Sequence, residues 1–305
     1  MREHRSRPGV LLSSKCLRYT VAAVLSLAAA YPEERGASRF EQRIWKGDFV
    51  QTRPMGTAVR LLSWNIERGL RLAEIAATIE REAPGICLLQ EVDVNAGRTG
   101  RRNIGEALAR QLCYNYAAAA EFQELSQGKS GSPAFQGQAI LTLFPLRSVR
   151  VIRFEHQSEF WRPRWYLPNW SLFQRRLGGR IAQVAELGDP AAPLVVYNVH
   201  LESRGSERLR LLQLEEVLAD AARYPDTTPL VIAGDFNTAS RALIGRIEEA
   251  GFKGAIESPA VTTKRGKILD WIFVRRLSFR NGTVHSDVRA SDHYPLTVDL
   301  LLQPE

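Results

Sequence analysis

An α/β fold whose sheets are not purely parallel is what the punctuation of this chain predicts. Short apolar runs of strand length recur between stretches with helical spacing. Some successive strand-like runs are joined directly and others through a helix, which mixes antiparallel with parallel pairing. The chain has 305 residues, 45% hydrophobic and 24% charged, so it is long enough to bury a substantial core as one large domain or two ordinary ones.

The elements follow in order. Residues 59–64 form a strand-like run, and Leu72, Ile75, Ala76 and Ile79 then repeat at helical spacing until Pro84-Gly85 stops them. A second buried strand is expected at 86–89, and Ile104, Leu108 and Leu112 mark a second helix. Strands are expected at 138–143, 147–153, 180–186 and 193–199. An amphipathic helix over 207–223 carries Leu209, Leu212, Val217 and Leu218 on one side. Strands recur at 229–234, 269–274 and 296–301. The segment 156–179 interrupts this scheme with Trp161, Trp165, Tyr166 and Trp170 among Arg162, Arg164, Arg175 and Arg176, and with prolines at 163 and 168. Irregular segments of that length are functional or mobile. There is no internal repeat and no low-complexity tract.

The formal charge is +8. Half of it lies in residues 1–20, where Arg2, Arg5, Arg7, Lys15 and Arg18 face Glu3 alone, a net of +4. The rest is a mildly basic surface that suits any phosphate substrate and does not single out DNA. The basic start is followed by an apolar, Ala-rich stretch over 19–31 that ends Ala28-Ala29-Ala30, the layout of a signal peptide. That stretch is shorter than the ~20 apolar residues of a spanning helix. A disordered basic tail or an organellar transit segment are alternatives. The expected organisation is a leader at 1–31 serving export or membrane tethering, a linker at 32–56 and one domain at 57–303; without a working leader the protein is cytoplasmic. Cys16, Cys87 and Cys113 make no disulfide framework or zinc spacing, and Cys87 and Cys113 read as small core residues.

Chemistry gathers where apolar runs end. Glu91 follows the run before Gln90, and Asn65 follows Leu61-Leu62-Ser63-Trp64, so two oxygen-bearing side chains emerge at strand ends, a plausible magnesium site. Glu67 and Asp93 read as loop acids. Asp235 and Asn237 alternate across Phe236 and can point the same way if strand geometry persists. His200 and Asn198 share one side of their strand. Asp270, read beside a histidine, can orient the imidazole and favour its charged form. Ser291-Asp292-His293 supplies a carboxylate and an imidazole just before the last strand. Taken singly, each has an ordinary structural account; their common placement is the signal.

At these residues the chain resembles the endonuclease/exonuclease/phosphatase superfamily, in its deoxyribonuclease-I-like and neutral-sphingomyelinase-like branch. The resemblance covers about 58–302 and rests on Ser63-Trp64-Asn65, Leu89-Gln90-Glu91, Gln138-Ala139-Ile140-Leu141, Asn198-Val199-His200-Leu201, Gly234-Asp235-Phe236-Asn237, Asp270 and Ser291-Asp292-His293. It implies a four-layer α/β/β/α sandwich of two mixed sheets flanked by helices. It also implies Glu91 as principal magnesium ligand, helped by Asn65 and Asp292, with manganese a possible substitute. Asp235 would position or deprotonate the attacking water, and Asn237 would steady the phosphate. His293, oriented by Asp270, would contact the phosphate or move a proton, and His200 would stabilise the pentacoordinate phosphorus or protonate the leaving oxygen.

The pattern departs from the family in one place. Deoxyribonuclease-like members pair the first histidine with a carboxylate from the segment matching 131–142, and this chain has no acid there. The partner of His200 is thus unassigned. Asn198-Val199-His200 also differs from the abasic-site endonucleases, which argues against base-excision repair. Arg98, with Arg101 and Arg102, is a candidate for the phosphate approach, with a solvated loop as the alternative, and Asn198 is a candidate substrate contact.

The expected activity is metal-assisted hydrolysis of phosphate esters, first of all a phosphodiesterase acting on nucleic acid. The alternative is a phospholipid or inositol-phosphate hydrolase at a membrane surface. A non-catalytic phosphate-binding protein is the remote reading. The segment 156–179 would decide among them, as a lipid contact, a base-stacking platform or a packed loop.

Overall fold

The strand-like runs of this chain are continuously apolar because both faces of each sheet are covered. Within Ala58–Arg68, Val59 and Leu61 enter one core while Leu62, Trp64 and Ile66 enter another. Ile86 and Leu88 alternate with Cys87 and Leu89 in the same way, as do Val231 and Ala233 with Leu230 and Ile232. The computed structural model describes residues 43–302 apart from 163, 165, 167 and 257–259. The expected leader, and Trp165, lie outside the described residues. Among those described, no helix is long and apolar enough to cross a membrane.

The chain begins with β1 (Ile44–Gly47), β2 (Ala58–Arg68), α1 (Leu72–Glu82), β3 (Ile86–Val94), α2 (Ile104–Leu112), β4 (Asn115–Lys129) and β5 (Ser132–Thr142). It continues through β6 (Leu146–Arg153), β7 (Arg176–Gly178), β8 (Ile181–Asp189), β9 (Ala192–His200) and α3 (Glu207–Ala221). It closes with β10 (Leu230–Asp235), α4 (Arg241–Glu249), β11 (Lys253–Gly254), β12 (Asp270–Arg275), β13 (Ser278–Val284) and β14 (Leu296–Leu301). The first sheet has eight strands in the order β1-β4-β5-β3-β2-β14-β13, with β7 added to β4, and the second has six in the order β11-β12-β10-β9-β8-β6. Only β2/β3 and β9/β10 pair in parallel among the described strands, and each pair is linked through a helix. One core lies between the sheets, one joins the first sheet to α1 and α2, and one joins the second sheet to α3 and α4. This is the expected four-layer sandwich of two mixed sheets.

Several elements escape the sequence pattern for identifiable reasons. The strand β4 holds Ala117 to Ala120, four strong helix formers, yet it pairs with β1, β5 and β7. Pairing on both edges overrides the propensity. The strand β1 lies in the segment read as a linker and is too short to show a period. The strand β13 has mostly polar, exposed side chains and pairs on one side with β14. The helix α4 buries only Leu243 and Ile247, a stripe too thin to show. On α3 the buried stripe is Leu214, Val217, Leu218 and Ala221 with Arg210 and Gln213, while Leu209 and Leu212 are half-buried. Cys87 is core, as expected, whereas Cys113 is exposed: it takes the left-handed cap after α2, with φ 58°.

Gly234 shows how tightly β9 and β10 approach where the chemistry begins. Its φ is +145°, and a Cβ there would stand 1.9 Å from the Val199 carbonyl oxygen. Neither atom belongs to a side chain that can move away. Gly234→Ala is therefore expected to cost about 3 kcal/mol through strain and overpacking, read as a lower denaturation midpoint. A midpoint matching the parent would show that the two strands can separate.

Candidate active site

Along each strand the side chains between the two sheets change from apolar to polar towards one edge. On β9 the sequence Leu194, Val196 gives way to Asn198 and His200; on β10, Val231 and Ala233 lead to Asp235; on β12, Val274 and Ile272 lead back to Asp270. Ile86 and Leu88 of β3 precede Gln90, and Ile140 of β5 is followed back by Gln138 and Gln136. The site is thus the polar end of the inter-sheet core. Buried polar groups cost free energy unless paired, and here they are paired largely with one another.

Asp235 is the hub. Its Oδ2 accepts from Asn65 Nδ2 at 3.1 Å and lies 3.5 Å from His200 Nε2 and 3.8 Å from His293 Nε2. Its Oδ1 accepts from the Asn237 backbone N–H at 2.9 Å. Asn237 does not reach the site by strand alternation. The strand β10 ends at Asp235, and Asn237 sits in a left-handed turn with φ 53°, its Nδ2 donating to the Leu201 carbonyl.

Each histidine has a second support. His293 Nδ1 lies 2.8 and 3.0 Å from the two oxygens of Asp270. Burial alone would lower the His293 pKa, but Asp270 and Asp235 outweigh it and raise it to about 10. Burial pushes Asp270 up to about 6, against the pull of His293. Near neutral pH the pair is therefore imidazolium and carboxylate.

The support of His200, unassigned from sequence, comes from β4 and from the residue just before β8. Arg180 Nη1 lies 2.9 Å from His200 Nδ1 and donates to Glu121 Oε2 at 2.9 Å. Glu121 Oε1 is 3.4 Å from the same imidazole nitrogen and accepts from Gln138 Nε2 at 2.9 Å. Arg180 and Glu121 thus converge on Nδ1 and are paired with each other. Burial would raise the Glu121 pKa, but His200 and Arg180 bring it down to about 2. Glu121 and Arg180 are the site residues sequence reasoning missed. Their signals were faint: one acid interrupting Ala117 to Ala120 and Phe122, and one arginine opening the run Ile181-Ala182.

Glu91 reaches the site through irregular backbone. Its φ is 52°, and the pairings of β3 with β5 and of β2 with β3 shift register beside it. Such bulges re-aim side chains. Gln136 Nε2 donates to Glu91 Oε2 at 3.1 Å, and Arg68 Nη2 is 3.4 Å from the same oxygen. Burial favours the neutral acid, yet Arg68, His200, Arg180 and Arg176 together hold its pKa below the usual carboxylate range. The Nε atoms of Arg68, Arg176 and Arg180 are buried without an acceptor.

Two side-chain clusters offer themselves for a cation. Asp235, Asp270 and His293 bring ligand atoms within 4.8 Å of one another, but His293 Nδ1 is already paired with both Asp270 oxygens at 2.8 and 3.0 Å, which makes this trio a hydrogen-bonded relay. Asn65, Glu91 and Asp292 are oxygen donors, which suits a hard divalent cation. Asn65 and Gln90 are register partners, which sets Asn65 beside Glu91. The Ser291 hydroxyl donates to the Asn65 carbonyl at 2.7 Å and is 3.4 Å from Asp292 Oδ1. The described contacts of the Glu91 carboxylate fall on Oε2 and leave Oε1 clear of them. The donor chemistry fits magnesium.

Two candidates for substrate contact are held by other partners. Arg98 forms two bonds of 2.7 and 2.8 Å to Asp93 and one of 3.1 Å to Glu124, so its guanidinium is committed to two buried acids. Asp93 is accordingly a fully buried strand residue and not a loop acid. Asn198 is fully buried and ties the sheets together, donating to the Leu89 and Ala139 carbonyls and accepting from Gln90 Nε2 at 2.7 Å. It forms the floor of the site. The hollow lined by Asp226, Lys253, Arg275 and Leu301 shares no residue with this constellation.

The sequence profile of the Endonuclease/Exonuclease/phosphatase family matches residues 62–293. Among solved structures, an endonuclease/exonuclease/phosphatase from Beutenbergia cavernae is 20% identical with a TM-score of 0.62, covering 81% of this chain and 72% of that one. The human Nocturnin catalytic domain, solved with a bound sulfate anion, is 20% identical with a TM-score of 0.60, covering 86% and 98%. ANGEL2, described as a 2',3'-cyclic phosphatase, is 17% identical with a TM-score of 0.58, covering 87% and 99%. No curated protein sequence matches the chain closely enough to add to these.

Proposed function

The chain belongs to the endonuclease/exonuclease/phosphatase family and is a hydrolase of phosphate esters, and we propose that within this family it is a magnesium-dependent phosphodiesterase. The observation that carries this reading is Asp235 set between two imidazoles, each backed by a second buried acid. That is equipment for positioning water on one side of a phosphorus and moving protons on the other.

Asp235 orients the attacking water and takes its proton. Asn237 and His293 hold the non-bridging phosphoryl oxygens, with Asp270 keeping His293 charged. His200, fixed by Arg180 and Glu121, faces the developing charge on the leaving side. Magnesium, when bound through Asn65, Glu91 and Asp292, supplies charge neutralisation at a phosphoryl oxygen, with manganese as a substitute.

Chelation is expected to abolish hydrolysis of a chromogenic phosphodiester, and added magnesium to restore it. Glu91→Gln removes the one carboxylate of that set not paired to a histidine or shared with Ser291. It is expected to raise the magnesium concentration needed for half-maximal activity by about 10–100-fold, as loss of groups around a metal site does. Activity that survives chelation, or an unchanged magnesium requirement in Glu91→Gln, would refute the metal assignment.

A further inference from the structure

The chain passes from the first sheet to the second at a residue that supports His200. The strand β7 pairs with β4 in the first sheet, and β8 pairs with β6 and β9 in the second. Gly179 and Arg180 are the two residues between them and belong to neither strand. The Arg180 side chain therefore stands at the seam and reaches both sheets. It lies 2.9 Å from Glu121 Oε2 on β4, 2.9 Å from His200 Nδ1 on β9, and 3.1 Å from Ser203 Oγ just beyond β9. At such a crossing the strand ladder is interrupted, yet a buried backbone N–H or C=O still needs a partner.

Gln157 supplies both partners. Its Oε1 accepts from the Arg180 N–H at 3.0 Å, and its Nε2 donates to the Arg180 carbonyl at 2.9 Å and to the Phe154 carbonyl at 3.0 Å. One side-chain amide thus stands in for a neighbouring strand. The two glycines before Arg180 leave room for this packing. A Cβ on Gly179 would lie 2.6 Å from the Gln157 amide carbon, and one on Gly178 would lie 2.1 Å from the Glu121 carbonyl oxygen. Gln157 is itself anchored by its neighbours. Glu216 of α3 accepts from the backbone N–H groups of Glu155 and His156 at 2.8 and 3.1 Å, and Gln213 Nε2 donates to the His156 carbonyl at 2.9 Å. The root of the 156–179 segment is therefore tied to α3 on one side and to Arg180 on the other.

We propose that Gln157 is a positioning residue for the hydrolysis: its amide fixes the sheet crossing at Arg180, and Arg180 with Glu121 then fixes the His200 imidazole on the leaving-group side. This rests on the phosphodiesterase reading above and adds a residue that acts only through Arg180. The arginine side chain is long, so its guanidinium keeps its place only when the backbone it springs from is held. Precision matters here, because misplacing a reacting group by about 1 Å can cost about 10²-fold in rate. His293 is independent of this clamp, since its support is Asp270 on β12. The effect of Gln157 is therefore confined to the leaving-group half of the reaction.

The test uses the full chain with Gln157→Ala, which removes the amide, and with Gly179→Ala, whose Cβ displaces it. The second is the milder change. The group that must yield is the end of a flexible side chain, and Gly179, unlike Gly178, has no positive φ to preserve. Should Gln157→Ala fail to fold, Gly179→Ala carries the comparison alone. Each is assayed with magnesium on bis-p-nitrophenyl phosphate, whose phenol leaves readily, and on diphenyl phosphate, whose phenol depends more on gaining a proton. On diphenyl phosphate kcat is expected to fall about tenfold or more in both variants, against about threefold or less on bis-p-nitrophenyl phosphate, with KM within about twofold. In a proton–nitrogen correlation spectrum the His200 ring signals, assigned by their loss in His200→Asn, are expected to shift in both variants while those of His293 stay. Unmoved His200 signals overturn the proposal, as does an equal loss of kcat on the two diesters, the mark of a general structural effect. If the parent hydrolyses neither diester, the phosphodiesterase reading fails by itself, and the His200 signals, which need no turnover, still decide the role of Gln157.

Discussion

Asp235→Asn is expected to lower kcat on a soluble phosphodiester by about 10²–10⁴-fold, the usual worth of a positioned acid–base group, with a small change in KM. Asparagine keeps the shape of the side chain but has one acceptor oxygen, so only one of the two donors, Asn65 Nδ2 or the Asn237 backbone N–H, keeps its bond. What is lost is the carboxylate charge between His200 Nε2 and His293 Nε2. His293 then keeps Asp270 but loses one of the three acids that raise its pKa. The alkaline limb of the pH–rate profile is therefore expected to move to lower pH as residual activity falls. A melting temperature close to the parent's, measured on the same preparation, shows the loss to be chemical. Turnover within threefold of the parent would remove Asp235 from the mechanism.

Glu121→Ala is expected to destabilise the fold by about 3–5 kcal/mol, because it leaves a buried charge without its partner. Arg180 would keep Ser203, at 3.1 Å from its Nη2, and His200, but lose the acid that neutralises it. Glu121→Ala/Arg180→Met is expected to recover part of this, since replacing both members of a buried pair costs less than orphaning one. Acid titration gives a second signature. The folded carboxyl titrates at about 2 against an ordinary 4.5, so its contribution is fully present above about pH 4.5 and is lost as pH falls towards 2. Denaturation midpoints of the parent should fall across that window, and those of Glu121→Gln should fall less. Parallel curves for the two proteins would show that Glu121 carries no such linkage. Activity should fall with stability in Glu121→Ala, because His200 loses the arrangement that fixes its Nδ1.

The contrast between Asp270 and Glu121 shows how far the site can be read from the chain. Asp270 opens an apolar strand, and the pairing of Asp235 with Asp270 across β10 and β12 follows from two runs of matching length. Its reach to His293 was therefore legible. Glu121 supports the other histidine in a comparable way, but it lies in an alanine-rich stretch whose propensity points to helix. Only the placement of β4 beside β5, and the contact of Gln138 with Glu121, bring it to the inter-sheet space. Arg98 shows the converse error. A basic residue just after a metal-ligand strand resembles a phosphate contact until Asp93 and Glu124 are seen to hold it.

By itself, the sequence determined the layers and the edge at which chemistry collects. Those depend on local periodicity and on where apolar runs end, and each run records which side of a strand must be buried. Asn65, Glu91, His200, Asp235, Asp270, Asp292 and His293 were legible for that reason. Only the tertiary structure decided which groups meet. Arg180 lies 20 residues from His200 and Glu121 lies 59 from Arg180, and no local pattern encodes contacts between strand ends of one sheet or across the two sheets. The turn at Asn237 and the bulge at Glu91 have the same origin. They follow from how strands register and where loops leave them, a property of the packed sandwich and not of any segment within it.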